Sequence, residues 1–317
     1  MKAALIEALG QPPVTREMPE PVLQPGEVLI ELAASPLNPA DVTVSTGRFY
    51  TGPPPLPHVP GIEGVGWMTK PGGGRALVYA MGGGLGTLKN GTASERFVAA
   101  AEGLIELPPD TDPAMAGALG TSGLAGWLPL AWRAPLRPGD TVLVLGATGA
   151  AGRVAVQAAK QLGAGRVIAA GRRPDALAAL RALADEVVSL DGEDLGGRLA
   201  KACAPGADVI CDYLWGAPLA VSLQATRAGA RVVHVGQSAG ASSDLASAAV
   251  RGKQLTIIGY SNFAVPREVL VDGYRRLLEE ARLGAIHLPV TRVPLSRAAT
   301  AWEGLYSGGG KYVLQPD

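Results

Sequence analysis

Val142-Leu143-Val144-Leu145-Gly146-Ala147-Thr148-Gly149-Ala150-Ala151-Gly152 is the stretch that decides the fold of this chain. Four uncharged apolar residues in a row suit a strand buried on both faces. A glycine-rich turn follows at once, and residues 153–162, closed by Gly163, carry the pattern of a helix. Strand, tight turn and helix N-terminus in that order let backbone N–H groups cradle a pyrophosphate. Gly149 allows close approach of the backbone and Gly152 allows the helix to pack on the sheet, while Ala147 replaces the first glycine of the usual pattern. Ala147, Thr148, Gly149, Ala150, Ala151 and Gly152 are therefore candidate cofactor-binding residues. The alternative is a glycine-rich turn that binds nothing.

Working outward, apolar runs at 141–146, 167–171, 186–190, 208–212, 231–236 and 255–259 alternate with Ala-rich helical stretches such as 174–184. Parallel neighbours need crossover helices, so six strands spaced in this way predict a doubly wound, six-stranded parallel sheet. In such folds an acid about 20 residues after the glycine turn holds the ribose 2′-hydroxyl of NAD. Here that place reads Gly171-Arg172-Arg173-Pro174. The acid is missing, and two guanidiniums stand where a 2′-phosphate would lie, which points to NADPH. Arginines kept for solubility are the alternative. Gly236-Gln237-Ser238 follows the fifth strand at the ligand-binding edge and is expected beside the nicotinamide ribose, with Asn262 and Phe263 close to the nicotinamide.

Before about residue 110 the texture differs: short runs such as Glu27-Val28-Leu29-Ile30 and Arg75-Ala76-Leu77-Val78 are broken by many Pro and Gly, which predicts a compact β-rich domain. After Gly259 comes one amphipathic helix near 268–283, then a last strand at Gly310-Lys311-Tyr312-Val313-Leu314. The 317 residues carry 28 basic and 28 acidic side chains, so no net field draws the protein to nucleic acid or anionic lipid. Residues 114–132 carry no charge but hold four glycines and a proline, and read as a packed linker and helix rather than a membrane span. Two cysteines, Cys203 and Cys211, fit a reduced, cytoplasmic protein.

At this point the chain resembles the medium-chain dehydrogenase/reductase superfamily, and within it the zinc-free quinone oxidoreductase (zeta-crystallin-like) branch. The likeness rests on Leu37-Asn38-Pro39-Ala40-Asp41, Pro60-Gly61-Ile62-Glu63-Gly64-Val65-Gly66, Leu107-Pro108-Pro109, Leu136-Arg137-Pro138-Gly139-Asp140 and Gly310-Lys311-Tyr312-Val313-Leu314. It implies a GroES-like substrate domain built from 1–115 and 261–317, with a Rossmann NADPH-binding domain inserted at 116–260. It also implies a homodimer formed through cofactor-domain edge strands. The apolar, β-branched run Gln254-Leu255-Thr256-Ile257-Ile258-Gly259 is the expected edge. Zinc relatives carry a Cys near Asn38 and a Gly-His-Glu where this chain has Gly61-Ile62-Glu63. Ile62 cannot bind metal, the closely spaced cysteines of a structural zinc lobe are absent, and His58, His234 and His287 are scattered, so no metal site is expected.

A reductase without a Lewis acid suits electron-poor acceptors, quinones and conjugated enones. Asn38 and Asp41 are expected to face the cleft, with Asn38 bonding the acceptor oxygen or else fixing its own loop. In the related enoyl-thioester reductases a Tyr near this point donates a proton; here Phe49 holds the closest position and Tyr50 comes one residue later. A tyrosine of ordinary pKa, about 10, stays protonated at neutral pH and is able to donate. Lys311 aligns with a basic residue that reaches the pyrophosphate in the superfamily, with a solvated lysine as the alternative. Two other functions stay open: enoyl-thioester reduction, for which Arg48 and Arg133 are the only hints of a basic entrance, and NADPH sensing without turnover.

Overall fold

The computed structural model describes residues 1–308 and 310–317, and it divides into two compact units. One holds Met1–Thr121 and Leu288–Asp317, the other Ser122–His287. The strands in chain order are β1 (Lys2–Leu5), β2 (Val14–Glu17), β3 (Glu27–Pro36), β4 (Glu63–Thr69), β5 (Arg75–Met81), β6 (Arg96–Ala100) and β7 (Ile105–Leu107). Next come β8 (Thr141–Leu145), β9 (Arg166–Gly171), β10 (Glu186–Ser189), β11 (Ala207–Asp212), β12 (Thr226–His234) and β13 (Thr256–Gly259). The last two are β14 (Val290–Pro294) and β15 (Lys311–Gln315).

The 122–287 unit is a six-stranded parallel sheet in the order β10-β9-β8-β11-β12-β13. Period-two alternation explains why these runs are apolar throughout. Leu143, Leu145, Ile168, Ala170, Ile210 and Val232 fill one face of the sheet. Val142, Val144, Val167, Ala169, Val209 and Cys211 fill the other. Each large aliphatic side chain buried this way contributes about 1.5–3 kcal/mol. The strand order reverses between β8 and β11, the switch point where ligands bind beyond the carboxyl ends of such strands.

The other unit is antiparallel apart from the β14–β15 pair: a seven-stranded sheet runs β14-β15-β3-β4-β5-β7, with β6 also on β3. The β4–β5 hairpin is short, closing where Lys70 N donates to Gly74 O at 3.0 Å. The last strand does return to this unit: β15 lies between β14 and β3.

The boundaries differ from the sequence expectation. The division falls at Thr121/Ser122 and His287/Leu288, not at 115/116 and 260/261. The helix Arg267–Arg282 stays with the parallel-sheet unit because Gly273 lies against Leu128, so closely that a Cβ there would sit 2.6 Å from Leu128 Cδ2. Gln157 then holds the main chain of His287 from both sides: its amide donates to His287 O at 3.0 Å and accepts from His287 N at 2.8 Å. The uncharged 114–132 segment is a broken helix, with non-helical angles at Gly120 (φ −59°, ψ −110°). Among the described residues no helix is long and apolar enough to cross a membrane.

Candidate functional site

In the parallel-sheet unit the chain leaves β8 through Gly146 and Ala147, whose N–H groups both donate to Ala170 O at 2.9 Å. Gly149 N donates back to Gly146 O at 3.0 Å, and the helix Ala150–Gln161 begins. Its first turn leaves the N–H groups of Ala150, Ala151 and Gly152 without helical acceptors. A Cβ on Gly152 would lie 2.3 Å from Gly146 O, so glycine here is what lets the helix seat on the strand. A Cβ on Gly149 would meet nothing nearer than Gly146 O at 3.5 Å, which leaves that flank open to a ligand. Ala147 is fully buried and lends support beneath the turn rather than an outward donor.

The end of β9 packs on this turn. A Cβ on Gly171 would come within 2.5 Å of Thr148 Cγ2, so the turn itself forbids a carboxylate at that position. Arg172 is exposed, whereas Arg173 is half-buried and donates from Nη2 to the carbonyl of Thr148. In the helix's first turn Arg153 has a buried Nε with no hydrogen-bond partner among the described residues, and burial pulls its guanidinium below the usual arginine range. An orphaned guanidinium nitrogen on the first turn of a helix, in a residue whose main-chain N–H donates to Gly149 O, fits an anionic dinucleotide.

At the carboxyl ends of β11 and β12, Asp212 is fully buried. Its Oδ1 accepts from Leu214 N (2.9 Å) and Trp215 N (3.1 Å), and its Oδ2 lies 3.3 Å from His234 Nδ1. This holds Trp215 at a positive φ of 57°, with its ring 4.2 Å from that of His234. Gly236 sits against Tyr213 O, and Ser238 is fixed by N–H and hydroxyl bonds to the same oxygen (3.3 and 3.0 Å). Gln237 is exposed. Asn262 is buried and accepts from Tyr260 OH at 2.5 Å, while Phe263 is 40% exposed.

The antiparallel unit contains a buried polar network that local sequence did not announce. Asn38 and Asp41, expected at the cleft, are buried within this unit, each only 1% exposed. Asn38 Nδ2 donates to Glu63 Oε1 (2.8 Å) and Pro36 O (3.2 Å), and its Oδ1 accepts from Lys311 Nζ at 2.6 Å. Both amide hydrogens are thus engaged inside the protein, the loop-fixing arrangement. Lys311 is 2% exposed, and its ammonium also donates to Leu37 O at 3.2 Å and lies 3.8 Å from Glu63 Oε1. The other oxygen of Glu63 accepts from Tyr79 OH (2.7 Å) and Thr121 N (2.6 Å). Gly120 has no side chain because Glu63 Oε2 lies 2.1 Å from where its Cβ would be.

Asp41 receives N–H bonds from Asn38, Gly61 and Ile62 at 2.8, 3.1 and 3.0 Å. Burial pushes its carboxyl up to about 6 in spite of these bonds, and burial pulls Lys311 below the usual lysine range. His58 is a packing residue, 1% exposed with Nε2 3.1 Å from Gly86 O. Tyr50 is 71% exposed and lies against Phe49, ring centroids 4.0 Å apart.

The residues do not suit zinc. Ile62 is fully buried and aliphatic, and both Glu63 oxygens are engaged by Asn38, Tyr79 and Thr121. Among the described residues no three or more His, Cys, Asp or Glu side chains are grouped to hold a metal. Glu63, Tyr79 and Thr121, with Arg153, Asp212 and His234 in the other unit, are the residues that sequence reading missed. The one signal was an acid at the head of an otherwise apolar strand, in Gly61-Ile62-Glu63.

The chain is similar to known proteins. Residues 150–274 match the family described as zinc-binding dehydrogenase, and residues 24–109 match the alcohol dehydrogenase GroES-like domain. The human (Homo sapiens) quinone oxidoreductase is 25% identical over 317 residues, covering 98% of this chain and 95% of that protein. The quinone oxidoreductase of Thermus thermophilus, solved alone and in complex with NADPH, is 31% identical with a TM-score of 0.81, covering 99% of this chain and 100% of that one. An NAD-dependent alcohol dehydrogenase superposes over 100% of both chains with a TM-score of 0.85 and 28% identity.

Proposed function

We propose a function from the family to which this chain belongs: it is a member of the medium-chain dehydrogenase/reductase superfamily, in its quinone oxidoreductase branch, and an oxidoreductase that uses a nicotinamide cofactor. The donor is NADPH, the acceptor a quinone or an α,β-unsaturated carbonyl, and no metal takes part. NADPH supplies a hydride, and one proton completes the reduction to a hydroquinone or a saturated carbonyl.

The single observation that carries NADPH over NADH is the end of β9. Thr148 occupies the space that a ribose-binding carboxylate would need at position 171, and Arg172 stands exposed beside it. A carboxylate there would also repel a 2′-phosphate, whereas a guanidinium attracts it. The first-turn N–H groups of Ala150, Ala151 and Gly152, with Arg153 beside them, would hold the diphosphate. Gln237, Ser238 and Phe263 are the residues offered to the nicotinamide end. The NAD-dependent neighbour makes NADH the competing donor.

Metal-free reduction follows from the donor set around Ile62. With no ligand group for a Lewis acid among the described residues, an acceptor that is already electron-poor is the one this site suits. Tyr50 is the one hydroxyl among the expected residues of this unit that is open to solvent, and it is the proposed proton or hydrogen-bond donor. Asn38 is then a positioning residue, holding the Pro36–Asn38 turn to Glu63 and Lys311.

The test is to incubate purified protein with NADPH or NADH and a panel of a quinone, an enone, a simple ketone and an enoyl-thioester, following the nicotinamide absorbance. Expected is NADPH oxidation by the quinone or the enone, unchanged by a chelator. Turnover with the simple ketone alone, or activity lost to a chelator and restored by zinc, overturns the proposal. Binding without oxidation by any acceptor leaves a sensor.

A further inference from the structure

The geometry points to a division of labour between the adjacent arginines at the end of β9: Arg172 reads the cofactor's 2′-phosphate, and Arg173 is a positioning residue that holds the glycine turn. This rests on the cofactor reading above and sharpens it, since composition alone gave both arginines the same task.

Thr148 is the residue on which the two elements meet. On one side its Cγ2 fills the space above Gly171, 2.5 Å from where a Cβ would be. On the other its carbonyl accepts from Arg173 Nη2. Arg173 is the residue just before the helix Pro174–Leu180, and its own carbonyl accepts from Leu177 N at 2.9 Å, so the guanidinium reaches back from a fixed backbone. Thr148 in turn precedes Gly149, whose N–H closes the turn on Gly146 O. The strand that ends at the adenosine-ribose position thereby sets the conformation of the turn that presents N–H groups to the diphosphate. A diphosphate is common to NADPH and NADH, so what Arg173 supports serves both. Arg172 is exposed and has no part in that task, and only a cofactor with a 2′-phosphate gives it an anion to bind.

The experiment is a direct binding titration of NADPH and of NADH, by quenching of protein fluorescence, on wild type, Arg172→Ala, Arg173→Ala and Arg173→Lys. Arg172→Ala is expected to weaken NADPH about ten- to a hundredfold, the range of one hydrogen bond to a charged group, and to leave NADH within about twofold. Arg173→Ala is expected to weaken both cofactors by the same factor, about tenfold, leaving their ratio unchanged. Arg173→Lys, which still places a donor near the Thr148 carbonyl, recovers part of that loss for both. If Arg173→Ala weakens NADPH and spares NADH, Arg173 is a phosphate reader and the division is wrong. If Arg172→Ala changes both cofactors equally or neither, the role given to Arg172 is wrong. A wild type that binds both cofactors equally overturns the NADPH reading instead, and Arg173 is then judged on NADH alone.

Discussion

Lys311 donates to the side-chain oxygen of Asn38 at 2.6 Å across 273 residues of sequence. That bond gives the buried carboxylate of Glu63, and Asp41 beyond it, a cation inside the fold. Lysine is a point charge with three donors, and here it finds Asn38, Leu37 and Glu63.

Replacing Lys311 with Met removes the cation and leaves the acids. Losing one partner of a buried pair costs about 3–5 kcal/mol, and a urea midpoint measures it. NADPH affinity should stay near wild type, because the ammonium is turned into its own unit. Unchanged stability with lost cofactor binding would return Lys311 to the diphosphate role.

Tyr50→Phe removes an exposed hydroxyl and leaves the ring on Phe49. Turnover with the accepted quinone or enone should fall about 100- to 10,000-fold if Tyr50 acts as general acid, with cofactor affinity unaltered. Steady-state kinetics beside a binding titration separate the two quantities. Full activity in the variant would reduce Tyr50 to a surface residue.

The thiols should be inert. Burial pushes Cys203 up to about 11 and Cys211 up to about 12. At pH 8 the thiolate, the reactive form, is then on the order of one part in a thousand or less of either residue. Ellman's reagent should find almost no thiol in the folded protein and two per chain in denaturant. Rapid native labelling would show that at least one thiol is open to the reagent and contradict this.

Among the described residues β13 pairs only with β12 and ends the parallel sheet, and Ile257 on it is 36% exposed. An open apolar edge invites a second strand, so two copies are expected to join edge to edge about a two-fold axis. Ile257→Lys should shift a micromolar sample toward monomer in sedimentation velocity while each chain stays folded by circular dichroism. A wild-type monomer at that concentration removes the edge-to-edge dimer.

The parallel sheet was legible because its signal is local: runs such as Val142–Leu145 are apolar on both faces, and a glycine turn follows without a gap. The helix 267–282 was legible as a helix but not as part of the parallel-sheet unit. Its assignment depends on Gly273 meeting Leu128 and on Gln157 holding His287, contacts that no local pattern encodes. The polar network was invisible for the same reason. Asn38, Glu63, Tyr79, Thr121 and Lys311 come from five separate segments, and each looks unremarkable in its own. For Asn38 the sequence left two orientations open, and only the contacts to Pro36, Glu63 and Lys311 give it the loop-fixing one, because spacing tells where a side chain begins and not which way it turns.

The placement of Lys311 also bears on how the protein is made. Residues 122–287 form one unbroken unit, whereas the other unit draws on chain from before and after it. Asp41 and Glu63 leave the ribosome early and Lys311 long after them, so the parallel-sheet unit has all its strands while the first unit still lacks its cation. A product stopped short of residue 311 would keep the hydrogen bonds to these two interior carboxylates but lack the cation beside them, and it would also lack β15. The lysine therefore ties the completion of this unit's interior charge to the arrival of β15.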